Sequence, residues 1–524
     1  MRRIQIYDTT LRDGAQAEGI TFSLQDKLLI AKRLDDMGFD FVEGGYPASN
    51  EKDSAFFTRI ADRPLEHSAI CAFGMTRRKG LKPEEDAGLM SLLNSGAPVV
   101  TLVGKSSSFQ VTEVIRATLE ENLEMIAETV AFFAARGRRV FFDAEHFFDG
   151  WKSDPGYAIR AIRTAAEAGA ESVHLCDTNG GSMPEEIAAG VRAVADAVSV
   201  PVGIHAHNDC GMAVANSLAA VDAGASIVQG TVNGFGERCG NANLVTIIAN
   251  LMTKKNGAYD LLLPDSLARL TRLSQFVDEV LNVKSSPRQP YVGRGAFTHK
   301  GGMHVSGISR NTSSYEHIDP QLVGNERHVL VSELSGRSNI AARTEKYKIG
   351  DNPELLNKIL DVVVRKESEG YSYESAEASF DLLVRKTMGI YFPHFERISY
   401  HTDVTSGKSG ILETAATVKL RIGNIIRHEV AEGDGPVNAL DAAMRKALTS
   451  VYPEIRDMSL IDYKVRVLNS EAATAARVRV VIESKDDDEV WGTVGADENV
   501  IEASWLALCD SFEYKLSKTR KENR

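Results

Sequence analysis

The chain contains no long apolar run. A helix crossing a bilayer needs about 20 consecutive apolar residues, so a membrane span is not expected. Cysteine is scarce: Cys71, Cys176, Cys210, Cys239 and Cys509 are all there are, with no CxxC spacing. This gives no disulfide framework and fits a reducing cytoplasm. Positive charge is not in excess, since 60 Lys and Arg stand against 72 Asp and Glu for a net charge of -12. General binding to nucleic acid or to an anionic membrane is therefore not expected, although a local basic pocket stays open. A secretory leader is not expected either, because Met1-Arg2-Arg3 runs straight into the strand-like Ile4-Gln5-Ile6-Tyr7 with no signal-peptide pattern. The expected setting is cytoplasmic, with no nucleic-acid and no membrane partner.

Hydrophobic residues at 43% and charged residues at 25% are ordinary for a globular protein, and 524 residues are too many for one core. Two or three domains are expected. In the first half, short apolar runs recur about every thirty residues. They are Ile4 to Tyr7, Phe39 to Val42, Ala69 to Phe73, Val99 to Val103, Val140 to Phe142, Val173 to Cys176, Val202 to Ile204 and Ile227 to Val232. Amphipathic stretches lie between them, such as Leu24 to Met37, Val114 to Ala135, Ala158 to Ala168 and Ile187 to Val198. Eight strands alternating with helices in roughly 255 residues predict an α/β fold of the closed (β/α)8 TIM barrel type over residues 1–274.

After that the beat stops. Residues 275–394 read as a mostly helical linker and lid region, with helices around Glu354 to Lys366 and Glu374 to Lys386. From 395 to 524 the texture is alternating strand, and a weak repeat predicts two ββα halves in a small α+β domain. The run Lys485-Asp486-Asp487-Asp488-Glu489 reads as a solvated hairpin tip, and Lys515 to Arg524 as a frayed tail.

Polar residues gather at the C-terminal ends of the predicted barrel strands, where such barrels carry their active sites. His205 and His207 are two apart at the end of the seventh run, so both rings project from one strand face. Alone, they could equally be two histidines in a polar loop. Asp13 lies past the first strand and Asn241 past the eighth. In a closed barrel strand eight neighbours strands one and seven, so Asp13, His205, His207 and Asn241 converge. Two imidazoles, a carboxylate and an amide carbonyl suit a divalent metal ion, Mn2+, Mg2+ or Zn2+, acting as a Lewis acid. Arg12 beside this site reads as a donor to an oxyanion or a substrate carboxylate; its alternative is a surface salt bridge. Glu145 is a candidate acid/base or substrate clamp, or else a loop cap. Thr178 could donate its hydroxyl to a substrate carboxylate, or serve as an N-cap. Thr9 and Thr10 are read as structural, and Cys210 and Cys239 as small buried or loop residues.

Asp8-Thr9-Thr10-Leu11-Arg12-Asp13-Gly14, His205-Ala206-His207-Asn208-Asp209 and Gly236-Glu237-Arg238-Cys239-Gly240-Asn241 resemble the signatures of the 2-isopropylmalate, homocitrate and citramalate synthases. The resemblance covers nearly the whole chain. Gly433-Asp434-Gly435-Pro436-Val437 and Asn499-Val500-Ile501-Glu502-Ala503-Ser504 resemble that family's regulatory domain, which binds the end-product amino acid. The resemblance implies an acyltransferase that condenses acetyl-CoA with a 2-oxo acid and then hydrolyses the thioester. It implies metal ligation by Asp13, His205 and His207, with Asn241 completing or supporting the site. It implies a catalytic role for Arg12 and Glu145, with Arg12 and Thr178 binding substrate. In the lid region Gly302-Met303-His304 and Tyr315-Glu316-His317 look like the places of a family histidine and tyrosine, pointing to His304 and Tyr315 as catalytic. Such residues often reach across to a partner's barrel, so a homodimer is implied, with a branched-chain amino acid as effector. The chain departs from much of the family in following Glu145 with His146 instead of Asp.

A dicarboxylic oxo acid would need an additional buried cation. The candidates are Lys105 and the run Arg77-Arg78-Lys79, which reads more simply as a solvated loop, so a homocitrate synthase is disfavoured. Asp143-Ala144-Glu145-His146-Phe147-Phe148-Asp149-Gly150 and Glu369-Gly370-Tyr371-Ser372-Tyr373-Glu374-Ser375-Ala376 resemble the citramalate synthase branch, which uses pyruvate. That branch implies (R)-citramalate as product, on a pyruvate route to isoleucine, with isoleucine as effector. The nearest alternative is a 2-isopropylmalate synthase taking 2-oxoisovalerate for leucine synthesis. A carbon–carbon lyase fits poorly with a sensor domain. A non-enzymatic amino-acid sensor fits poorly with a complete Arg12, Asp13, Glu145, His205 and His207.

Overall fold

The computed structural model describes residues 1–330, 337–406, 412–468 and 476–522. Eight parallel strands close on themselves as a barrel: β1 (Gln5–Asp8), β2 (Phe41–Gly45), β3 (Ala69–Met75), β4 (Val99–Lys105), β5 (Arg139–Glu145), β6 (Ser172–Asp177), β7 (Val202–Ala206) and β8 (Ile227–Gly230). The closure is made by β1, which pairs Tyr7 with Phe41 on one side and Gln5 with Ile227 on the other. The predicted (β/α)8 barrel is therefore the observed one.

The strands alternate with period two. Ile6, Val42, Val100, Phe142, Leu175, Ile204 and Val228 join the large apolar layer under the helices. Tyr7, Phe41, Cys71, Val99, Phe141 and Ile227 form a separate cluster. They occupy the alternate strand positions, which in a closed barrel face the interior. The helices follow from their own signals. Ser23 and Asp26 make a capping box at the start of Leu24–Met37, and Gly38 ends that helix at φ 84. The helix predicted from Val114 begins only at Leu119, because Thr118 supplies its cap and Arg116 lies at φ 54.

The chain divides into two compact units, one of Met1–Phe297 with Ile318–Glu326 and one of Thr298–His317 with Arg327–Arg524. The second unit contains helices Gly302–Arg310, Pro353–Ser368 and Glu377–Met388, then two three-stranded antiparallel sheets. Each half of the terminal region is βββα where alternation predicted ββα. The additional strands are Glu396–Ser406 and Ser459–Val467. Both are largely exposed, although Ile398, Tyr400 and Val404, and Ile461, Tyr463, Val465 and Val467, alternate with polar residues. The predicted frayed tail is instead helix, Val500–Glu522. Lys515 and Lys518 each bond Asp486 at 2.8 Å, so that carboxylate faces inward from the hairpin tip. Among the described residues, no helix is long and apolar enough to cross a membrane.

Gly203 of β7 is fitted against the His174 ring of β6, where an added Cβ would overlap it. Gly203→Ala is expected to cost about 1–3 kcal/mol by overpacking, measured as a lower denaturant midpoint at unchanged slope.

Candidate active site

The C-terminal rim gathers residues that are far apart in the sequence. His205 is an inward position of β7, and His207 follows that strand in an antiparallel bridge with Asn241. Ala242 donates its N–H to the Ala206 carbonyl at 2.8 Å, and Asn208 donates to Gly240 at 2.9 Å. The loop before Asn241 needs its glycines: Gly240 has φ 87, and a Cβ on Gly236 would stand 2.8 Å from the Asn241 amide. After β1 the chain coils back, with the Arg12 and Asp13 N–H groups both donating to the Thr9 carbonyl. This brings Asp13 Oδ2 to 3.6 Å from His205 Nε2, itself 3.4 Å from His207 Nε2. All four of these side chains are buried.

Asp13 Oδ2, His207 Nδ1 and both amide atoms of Asn241 are buried without a hydrogen-bond partner. Leaving such groups unsatisfied costs about 1–3 kcal/mol each, a cost that a bound cation would remove for the Asp13 and Asn241 oxygens. His205 Nδ1 meets Gln229 Oε1 at 2.7 Å, which assigns the proton to Nδ1 and leaves Nε2 as an acceptor toward the site. Burial, and then His205, push the His207 ring down to about 3, so it is neutral, as a ligand must be. Among the described residues, no group of three or more His, Cys, Asp or Glu side chains is spaced to hold a metal ion by itself. The donor set fits a divalent ion through Asp13 Oδ2, the facing Nε2 atoms of His205 and His207, and the Asn241 amide oxygen.

Below the rim runs a polar network. Gln229 Nε2 donates to Asp143 Oδ1 at 3.0 Å, His174 Nδ1 meets the same oxygen at 2.7 Å, and His174 Nε2 meets Ser172 Oγ at 3.0 Å. Burial would raise Asp143, but His174, His205 and Arg12 hold it below the usual carboxylate range. Arg12 donates Nε to Glu43 at 2.6 Å, is paired through Nη1 with Asp13, and lies 4.0 Å above the Phe73 ring. Burial opposes its charge, yet Asp13 and Glu43 keep the guanidinium protonated. Burial pushes Glu43 up to about 7 despite Arg12, and the Tyr7 hydroxyl donates to it at 2.8 Å. Gln229, His174 and the pairing role of Glu43 were not foreseen from sequence. Their signal was a polar residue at an inward position of an otherwise apolar strand.

Glu145 ends β5, partly exposed and paired with Lys105. His146 follows at φ 57, donates its N–H to Thr178 Oγ1 at 2.8 Å and sets its ring 2.9 Å from Asp149. Thr178 Oγ1 thus accepts a backbone hydrogen bond, and its own proton is left to donate. Arg77-Arg78-Lys79 is not simply a solvated loop: it lines a cavity of about 460 Å3 that also includes Lys105 and Glu145. Thr9 and Thr10 are structural, Thr9 donating to the Gly230 carbonyl and Thr10 to Asp8. Cys210 and Cys239 are exposed thiols. His304 and Tyr315 lie in the second compact unit with rings stacked 4.1 Å apart, and Tyr315 is exposed.

Residues 3–277 match the HMGL-like family, 291–369 the homocitrate synthase post-HMGL domain-like family and 374–516 the LeuA allosteric (dimerisation) domain. The chain is 47% identical to the (R)-citramalate synthase of Aquifex aeolicus, over 99% of both chains. It is 48% identical to that of Synechocystis sp., over 98% of this chain and 96% of the other. The chain belongs to the citramalate synthase family. A probable 2-isopropylmalate synthase of Methanopyrus kandleri is 32% identical over 99% of both chains. Among solved structures, the HMG-CoA lyase from Brucella melitensis has a TM-score of 0.46 and 19% identity, covering 54% of this chain and 100% of that one. Members of the HMGL-like family are generally dependent on divalent metal.

One carboxylate of the citramalate synthase barrel carries a pH prediction. Burial raises Asp8 to about 7 against the pull of two Thr10 hydrogen bonds. The folded protein therefore holds a proton that the unfolded chain releases near pH 4, about the free aspartate value. The stability from that proton is complete below about pH 4 and is lost as pH rises through 7. Asp8→Asn keeps the group neutral, so its stability relative to wild type should rise between pH 4 and 8, by roughly 1–4 kcal/mol. Denaturant unfolding across that range measures the gap, and a gap independent of pH would contradict a protonated Asp8.

Proposed function

We propose that this chain condenses acetyl-CoA with pyruvate and water to give (R)-citramalate and CoA. The observation that carries the site assignment is the buried group of unpartnered Asp13, His207 and Asn241 atoms beside a protonated Arg12. Asp13, His205, His207 and Asn241 would hold a divalent ion. When bound, that ion supplies a Lewis acid toward the ketone and carboxylate of the 2-oxo acid.

The chain's own residues do the rest. Arg12, clamped between Asp13 and Glu43, donates to the ketone oxygen and holds it as it becomes an alkoxide. Thr178 donates its free hydroxyl proton to the substrate carboxylate. The acetyl methyl group gives up a proton, its carbon bonds the keto carbon, and the alkoxide takes up a proton. Water then cleaves the thioester, leaving a second carboxylate and the CoA thiol. Glu145 acts at the rim as a substrate-side acid or base, with Lys105 as its counter-charge. His304 and Tyr315 complete the site from a partner subunit, so the active form is a dimer, supported by the match to the LeuA dimerisation domain. The same domain senses isoleucine, and the reaction opens a pyruvate route to that amino acid in the cytoplasm.

CoA-thiol release with pyruvate, 2-oxoisovalerate and 2-oxoglutarate, after chelation and metal addition, tests this reading. Pyruvate should give the highest kcat/KM and chelation should abolish turnover; faster turnover on 2-oxoisovalerate would make the chain a 2-isopropylmalate synthase. Arg12→Gln should lower kcat by about a hundred-fold or more while metal binding by calorimetry persists. Isoleucine should inhibit wild type, and an absence of both inhibition and binding would leave the terminal domain a dimerisation module alone.

A further inference from the structure

The cavity beside Glu145 is not used by the chemistry above. It is lined by the Lys105–Glu145 pair at the rim and by the run Arg77-Arg78-Lys79 after β3. Met75, Val103 and Met125 add apolar lining. Three of its four cations are already neutralised. Arg77 is paired with Glu128 at 2.5 Å, Lys79 with Glu121 at 3.2 Å, and Lys105 with Glu145. Arg78 differs. Its backbone N–H is fixed on Asp86 at 2.9 Å, but among the described residues its guanidinium makes no hydrogen bond or ion pair. A fixed backbone with a free planar cation at the edge of a half-apolar cavity suits a phosphate ester on an apolar arm. It stands out in a chain of net charge -12.

We propose that Arg78 binds the phosphates of the acyl thioester, with the pantetheine arm lying along this cavity toward Glu145. This rests on acetyl-CoA being the acyl donor. The competing occupant is the second carboxylate of a dicarboxylic oxo acid, and truncated donors separate the two.

Steady-state rates are measured with acetyl-CoA, acetyl-dephospho-CoA and acetyl-pantetheine for wild type, Arg78→Ala and Arg78→Lys. Loss of a charge-assisted hydrogen bond should raise the alanine variant's KM for acetyl-CoA about ten-fold or more, leaving kcat and the KM for pyruvate near wild type. Lysine should recover part of this. With acetyl-pantetheine, which has no phosphate, wild type and Arg78→Ala should coincide. Acetyl-dephospho-CoA shows whether the 3′-phosphate or the diphosphate is held. An equal penalty on acetyl-CoA and acetyl-pantetheine would overturn the proposal, as would an effect confined to the oxo acid or to 2-oxoglutarate. Calorimetry of CoA and pantetheine with wild type and Arg78→Ala needs no turnover. If no oxo acid is condensed, the functional reading falls, while preferential loss of CoA affinity in the variant still supports the phosphate site.

Discussion

A closed eight-stranded barrel turns every second strand residue into a space that water does not fill, and any polar group placed there must find a partner. Here the inward positions near the rim are polar, and nearly all are satisfied by one another. Tyr7 holds Glu43, which holds Arg12. Gln229 joins His205 to Asp143, and His174 joins Asp143 to Ser172. Against that background the unpartnered atoms of Asp13, His207 and Asn241 are conspicuous. They belong to side chains at the C-terminal ends of the strands, and all of them are buried. The contrast between a satisfied interior and an unsatisfied rim is what identifies the site.

Arg12 shows how the same packing prepares the electrostatics. Its guanidinium is held by two carboxylates and a ring face, so it would lose little freedom in donating to the substrate oxygen proposed for it. Burial keeps Glu43 near neutrality, so the pair does not leave two full negative charges beside one cation.

The barrel was legible in the sequence because apolar runs separated by amphipathic stretches specify strand and helix with little help from tertiary context. The rim residues were legible because strand ends carry them at fixed spacing. The supporting network was harder to see. Gln229 in Ile227-Val228-Gln229-Gly230 and His174 in Val173-His174-Leu175 look like blemishes in apolar runs until the period of two aligns them with His205. The strands Glu396–Ser406 and Ser459–Val467 were legible too, in the alternation of Ile461-Asp462-Tyr463-Lys464-Val465-Arg466-Val467 and of Ile398, Tyr400 and Val404, but the repeat of two ββα halves left no place for them. The cavity at Arg78 depends on how three separate loops pack, which no local signal encodes.

The loop carrying Asn241 also links the ends of neighbouring strands. Arg238 sits at φ 55, a left-handed conformation that costs a non-glycine residue about 1 kcal/mol or more. Its guanidinium makes a forked pair with Asp209 at 2.7 and 3.0 Å and also donates to the Thr178 carbonyl at 2.8 Å. One side chain thus ties the ends of β6, β7 and β8 together. Thr178, proposed to face the substrate carboxylate, and the His207–Asn241 bridge are held by the same staple. Lysine at this position would keep the charge but lose the fork, and with it the fixed angle between the two loops. The strained Arg238 backbone thus comes with three hydrogen bonds that link the proposed metal side to the proposed substrate side.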